Sequence, residues 1–234
     1  MATTTDRVIS RAVLALAAAA TLWGLSFVFG KIALRALPAT HVVLGRFVIG
    51  SALLLPISRY RFPDVTIARE DRIRFVLAAV LMVPISFLLQ FEGLDRTSAA
   101  RASLIIGAAP PIMAVASVLV GTDRLSKGEW MAVAASVLGV FLMVGRPDAP
   151  GDTTGDLMVL GSIVTLTVWS IVTKDLMDRY PPLYTTATCM AGGTLALFPI
   201  ALTVPGMPSL DLDSMTWISL GVLGAGCTAL TYAL

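Results

Sequence analysis

Residues 31–57 read KIALRALPATHVVLGRFVIGSALLLPI, and residues 174–200 read KDLMDRYPPLYTTATCMAGGTLALFPI. Laid over each other at an offset of 143, Lys31 falls on Lys174, Pro38 on Pro181, Gly50 on Gly193 and Leu54 on Leu197. Pro56-Ile57 falls on Pro199-Ile200, which makes six identities in 27 ungapped positions. The matches include Pro, Gly and Lys, which set backbone geometry or charge, and not only Leu or Ala, which any two apolar stretches share. Both copies also share a layout: a helix ending in Lys, a turn with Pro, then a helix ending in Pro-Ile. At an offset of 142, Val80-Leu81 falls on Val222-Leu223, Ser86 on Thr228 and Leu88 on Leu230.

The spacing of charges places these copies in a bilayer. The chain is 56% hydrophobic and 14% charged, against roughly 25% charged in an average soluble domain. A membrane helix needs about 20 apolar residues. Stretches of that order lie between Arg11 and Lys31, from Thr40 to Ser58, and between Arg74 and Glu92, Arg101 and Asp123, and Glu129 and Arg146. Others lie between Asp156 and Lys174, between Arg179 and Asp211 (with a turn at Pro205-Gly206), and after Asp213. That predicts eight spans with short connections. The first apolar stretch continues to Gly30, past the length of a signal-peptide core, so it reads as a retained helix.

Five spans precede the Pro/Gly/Asp-rich linker at residues 147–153, so the second copy enters the membrane from the opposite side. The expectation is an all-α, polytopic helical membrane protein with an inverted five-helix repeat. The first repeat covers residues 1–146 and an incomplete second covers 154–234, a ten-helix fold with about eight helices present. Inverted repeats place a substrate site near the midplane at the repeat interface and support alternating access. Lys and Arg accumulate on cytoplasmic loops. A cytoplasmic N-terminus puts eleven of them inside and five outside, which predicts a multi-pass protein of the cytoplasmic (inner) membrane in that orientation.

The stretch Leu22-Trp23-Gly24-Leu25-Ser26-Phe27-Val28-Phe29-Gly30-Lys31 is similar to the opening W-G-x-x-F-x-x-x-K helix of the EamA-like branch of the drug/metabolite transporter superfamily. Arg46-Phe47 resembles that family's second-helix R-F. Gly93-Leu94, Thr97-Ser98-Ala99-Ala100 and Ala102-Ser103-Leu104 before Pro110 resemble its third-to-fourth helix passage. Arg124-Leu125-Ser126, Trp130 and Gly139 resemble the start of its fifth helix. Asp123 replaces the usual Glu, Pro110-Pro111 doubles a single Pro, and Glu92 stands where a small or aromatic residue is usual. The resemblance implies ten helices and export or exchange of a small metabolite, an amino acid or related organic solute, by a secondary transporter.

Ten residues are candidates for substrate contact. Trp23, Phe27 and Lys31 share one helix face, either as an aromatic wall ending in a cation or as packing with a snorkelling lysine. Trp169 and Lys174 occupy the corresponding stretch of the second copy. Arg46, a charge within a span, should face a partner or a wet cavity; Glu92 is its candidate partner, and equally pairs with Arg96 at the interface or carries protons. Gln90 and its repeat counterpart Tyr232 can hydrogen-bond substrate or cap a helix. Pro110 is the tenth; with its neighbour Pro111 it should break the fourth helix and free carbonyls.

The lone histidine, His41, and the absence of G-x-S-x-G or H-E-x-x-H argue against an enzyme. Cys189 and Cys227 read as core hydrophobes, without disulfide or metal spacing. No cofactor is expected. A net charge of +2 gives no field for nucleic acid. The expected partners are the lipid bilayer and a small-molecule substrate, with proton coupling and a homodimer left open. The competing reading is an inactive truncated fragment or a non-transporting membrane scaffold.

Overall fold

The computed structural model describes residues 4–121, 124–144, 152–203 and 211–233. Every uncharged stretch within them is helical. Helix α1 spans Thr4–Ala33 and α2 spans Ala39–Arg61. Helix α3 (Arg72–Val80) continues through a π-helical segment, Leu81–Phe87, into α4 (Leu88–Arg96). Helices α5 (Ala99–Ile106) and α6 (Ala109–Leu119) form one broken rod, followed by α7 (Lys127–Val144), α8 (Thr153–Arg179) and α9 (Pro182–Thr203). Helix α10 (Ser214–Gly221) passes through a second π-helical segment, Val222–Leu230, into the short α11 (Thr231–Ala233). Seven rods are long and apolar enough to cross a membrane, and α7 adds an eighth helix of 18 residues. No strand occurs among the described residues. Leu53, Val76, Val164, Leu195, Phe198 and Trp217 are exposed, an apolar exterior suited to lipid. The chain is thus a polytopic all-helical membrane protein. Asp123, linker residues 147–151 and the Pro205-Gly206 turn lie outside the described residues.

The fourth rod is interrupted at Gly107-Ala108, one turn before the proline pair, and α6 begins with prolines in its first turn. A first-turn N–H has no intrahelical acceptor, so proline loses nothing there.

The two stretches aligned in the sequence contain α2 and α9, which meet in the bundle. His41 Nε2 lies 3.0 Å from the Ala201 carbonyl, Ser51 Oγ is 3.2 Å from Thr194 Oγ1, and the Arg59 guanidinium lies over the Tyr184 ring. As the residue number rises along α2 it falls along α9, so the helices are antiparallel. Ser51 and Thr194 are 143 residues apart, the repeat offset. The π-helical segments also correspond. Ser86 Oγ donates to the Leu81 carbonyl at 2.7 Å, and Thr228 Oγ1 donates to the Leu223 carbonyl at 2.8 Å, each reaching back five residues. In the first segment Pro84 lacks an N–H for the α-helical ladder, which favours the wider turn.

Helix α8 is fastened at both ends. Gly93 of α4 and Gly155 of α8 bring two backbones together: a Cβ on Gly93 would sit 2.7 Å from the Gly155 carbonyl oxygen. Such close approach is how membrane helices gain packing energy where the solvent is as apolar as the side chains. Beside that contact, Asp152 caps α8 through the Thr154 N–H at 3.1 Å. Asp156, in the first turn, accepts from Thr97 Oγ1 at 2.7 Å and from Arg101 Nε at 3.3 Å, and pairs closely with Arg101 Nη2. Both charges are buried. At the other end Asp71 accepts from Arg179 Nη1 at 3.1 Å and from the Tyr180 hydroxyl at 2.9 Å, and that hydroxyl accepts the Ala68 N–H.

Breaking a buried pair strands a charge, whereas replacing both partners with apolar groups removes the desolvation cost as well. Asp156→Leu or Arg101→Met alone is expected to cost about 3–5 kcal/mol, and the double variant to recover most of it. Thermal unfolding in detergent checks this; singles no worse than the double would mean the pair is solvent-screened.

Candidate functional site

Arg46 is 1% exposed. Its Nε donates to Thr228 Oγ1 at 2.7 Å and one Nη2 hydrogen goes to the Cys227 carbonyl at 3.2 Å. The Thr228 hydroxyl gives its own hydrogen to Leu223, so its lone pairs face the guanidinium. Three rings surround the cation: Phe87 at 4.9 Å from centroid to guanidinium carbon, Phe47 at 5.5 Å and Phe91 at 5.6 Å. Phe47 and Phe87 pack edge to face, 4.7 Å apart. A Cβ on Gly30 would sit 3.1 Å from the Phe91 ring, so α1 closes the cluster on that side. One turn beyond Thr228, Tyr232 meets the Trp23 ring edge-on at 6.4 Å.

The site therefore draws on α1, α2, the first π-helical segment with α4, and the second with α11. No carboxylate lies within 4 Å of Arg46 among the described residues, and Glu92 does not pair with it. The sequence expectation of an Arg46–Glu92 pair is corrected: a hydroxyl, a carbonyl and three ring faces stand where a carboxylate was expected. Glu92 is half-buried and does not pair with Arg96 either. Gln90, two residues earlier, is half-buried.

Of the other residues singled out in the sequence, Phe27 is buried and Trp23 is 42% exposed. Lys31 Nζ donates to the Leu94 and Asp95 carbonyls at 2.8 and 2.6 Å, which ties α1 to the carbonyl end of α4, where a cation suits the helix dipole. Trp169 is buried, and its Nε1–H has no hydrogen-bond partner among the described residues. Lys174 is exposed. It lines a cavity of ≈ 400 Å³ with Met113, Ser117, Thr167, Ser170 and Asp178. Pro110 is exposed in the first turn of α6. Arg46, Trp23 and Tyr232 thus belong to one region and Lys174 to another. Lys31 sits beside the α8 N-terminus and Lys174 near its C-terminus, about 30 Å further along the helix.

Sequence reasoning missed Phe87, Phe91, Thr228 and the Arg101–Asp156 pair. The hydroxyl shared by Ser86 and Thr228 at the repeat offset was the available signal for Thr228.

Removing the Thr228 hydroxyl leaves a buried guanidinium N–H without an acceptor, at roughly 1–3 kcal/mol or more. Thr228→Val is expected to lower thermal stability by that amount and Thr228→Ser to restore it. Equal stability of the two would show that Arg46 does not depend on the contact.

Known proteins place this arrangement. Residues 10–145 match the EamA-like transporter family. An uncharacterized transporter of Archaeoglobus fulgidus is 24% identical over 227 residues, which cover 95% of this chain and 78% of that protein. The uncharacterized transporter YcxC of Bacillus subtilis is 26% identical over 186 residues, 78% of this chain and 60% of its own length. A solved crystal structure aligns with a TM-score of 0.68 at 20% identity, over 95% of this chain and 77% of the other, and shares the fold. With membrane-crossing helices throughout and a family match across more than half its length, the chain belongs to the EamA-like transporter family and is a membrane transporter of the drug/metabolite type.

Proposed function

We propose that the chain is a secondary transporter that moves a small organic solute across the cytoplasmic membrane by alternating access, as an exporter or exchanger. Its two halves, residues 1–146 and 154–234, are copies of opposite orientation, with the N-terminus cytoplasmic. The Arg46 cluster is the solute site.

One observation carries this reading: α2 and α9, copies of each other at an offset of 143, pack antiparallel with Ser51 against Thr194 at that offset. Helices that are equivalent in sequence and opposed in direction are what an inverted repeat produces. The paired π-helical segments support it, because wide turns are frequent where helices change shape for function.

In this reading the two ends of α8 are the two gates. Thr97, Arg101 and Asp156 close the outer end, and Asp71, Arg179 and Tyr180 close the inner one. The inner pair is weaker, since Arg179 is half-exposed and water screens it. Each gate opens toward one aqueous phase, and Arg46 lies among helices that run to both.

Single cysteines at Lys31 and Lys174, in a chain with Cys189 and Cys227 replaced by Ser, test the arrangement with a membrane-impermeant thiol reagent. Lys31→Cys is expected to label from outside and Lys174→Cys from inside. Asp156→Asn should raise labelling at the first and lower it at the second. Labelling of both from one face would sink the inverted repeat, and parallel changes at the two ends would sink alternating access.

A further inference from the structure

We infer that the Arg46 site takes a monocarboxylate with an apolar body and no ammonium group. The inference rests on the reading of this cluster as the solute site and adds the class of solute.

Charge favours an anion. An uncompensated cation inside a bilayer protein is costly. Arg46 is nine-tenths buried and more, its partners are neutral, and no carboxylate lies within 4 Å among the described residues. One negative charge on the solute balances it.

Geometry favours a carboxylate. A guanidinium has five N–H donors in a planar fork that matches a carboxylate. Two go to Thr228 and Cys227, and the other three make no hydrogen bond among the described residues. Phe47, Phe87 and Phe91 surround the guanidinium and are themselves buried, so a solute admitted when the helices part meets carbon surface there.

The number of cations limits the anion. Lys31 is tied to two carbonyls, and Lys174 lies at the far end of α8. A phosphate dianion would face a single positive charge. A zwitterion would bring an ammonium to a place with a guanidinium and no carboxylate. Of the two acidic residues of α4, Glu92 is one residue past Phe91 and so about 100° around the helix from it, and Asp95 is exposed.

Four matched probes separate the classes: 3-phenylpropanoate, phenylalanine, 2-phenylethylamine and 3-phenylpropanamide. Thermal shift of the full chain in detergent is expected to give saturable stabilisation with 3-phenylpropanoate alone. Arg46→Gln should weaken that binding at least about tenfold. Arg46→Lys, which keeps the charge without the fork, should retain part of it and carries the test if the Gln variant does not fold. Equal or tighter binding of phenylalanine or the amine, no binding of the propanoate, or unchanged binding in Arg46→Gln overturns the inference. Uptake into vesicles reads the transport reading separately. Carboxylate binding without flux would sink that reading and leave the solute class standing, and flux confined to amines would do the reverse.

Discussion

A polar group inside hydrocarbon has no water to turn to, so the protein itself must answer it. That constraint organises this structure more than apolar burial does, because lipid is as apolar as Leu and gives helices little reason to associate. Contacts that hold the bundle are accordingly polar or backbone-close. Lys31 bonds two carbonyls of α4, Asp156 meets Thr97 and Arg101, and Gly93 touches Gly155. Each joins segments distant in the chain, and each involves a group that would be stranded if the helices parted. Arg46 joins α2 to the second π-helical segment in the same way, 182 residues away from its Thr228 acceptor.

The two π-helical segments show how the chain loosens rods that must otherwise be stiff. A wide turn shifts one N–H to an acceptor five residues back and leaves a local misfit. Ser86 and Thr228 fill it by donating to Leu81 and Leu223. A hydroxyl that replaces an amide in the ladder is a softer link. It can release the carbonyl at smaller cost than an amide, and in Thr228 the same oxygen accepts from Arg46. Local backbone softness and the candidate site therefore coincide in the second segment. In the first, the softness lies beside Phe87, which covers the same guanidinium.

The bundle was legible in the sequence because charge is expensive in lipid: gaps between charged residues correspond to rods. The match between residues 31–57 and 174–200 was visible because Pro and Gly, which constrain the backbone, are among its identities. Partners were not legible. Arg101 and Asp156 each mark the edge of a span, and nothing in the linear order says that two edges meet. Arg46 was recognisable as a buried charge, yet Glu92, the nearest carboxylate by type, was the wrong partner. A cation can be answered by rings, a hydroxyl and a carbonyl, and these are too common in such a sequence to be singled out. The break in the fourth rod was expected at Pro110-Pro111 and falls at Gly107-Ala108, because first-turn prolines start a helix more readily than they interrupt one.

Among the described residues two arginines are buried, and the protein answers them differently. Arg101 faces a carboxylate and a threonine that hydrogen-bonds that carboxylate, so its charge is cancelled within the protein. Such a pair resists opening and suits a gate, which should stay shut until something else moves. Arg46 has its hydrogen bonds partly met and no carboxylate against its charge among the described residues. Aromatic faces attract a cation by about 0.5–2 kcal/mol each, enough to hold the side chain in place but less than a buried counter-ion supplies. The protein thus fixes the position of Arg46 without neutralising it. A group held in place with charge left over is disposed to bind an ion from outside the chain, and its neutral partners let that ion leave again, since no internal salt bridge is broken when it arrives or has to re-form when it departs.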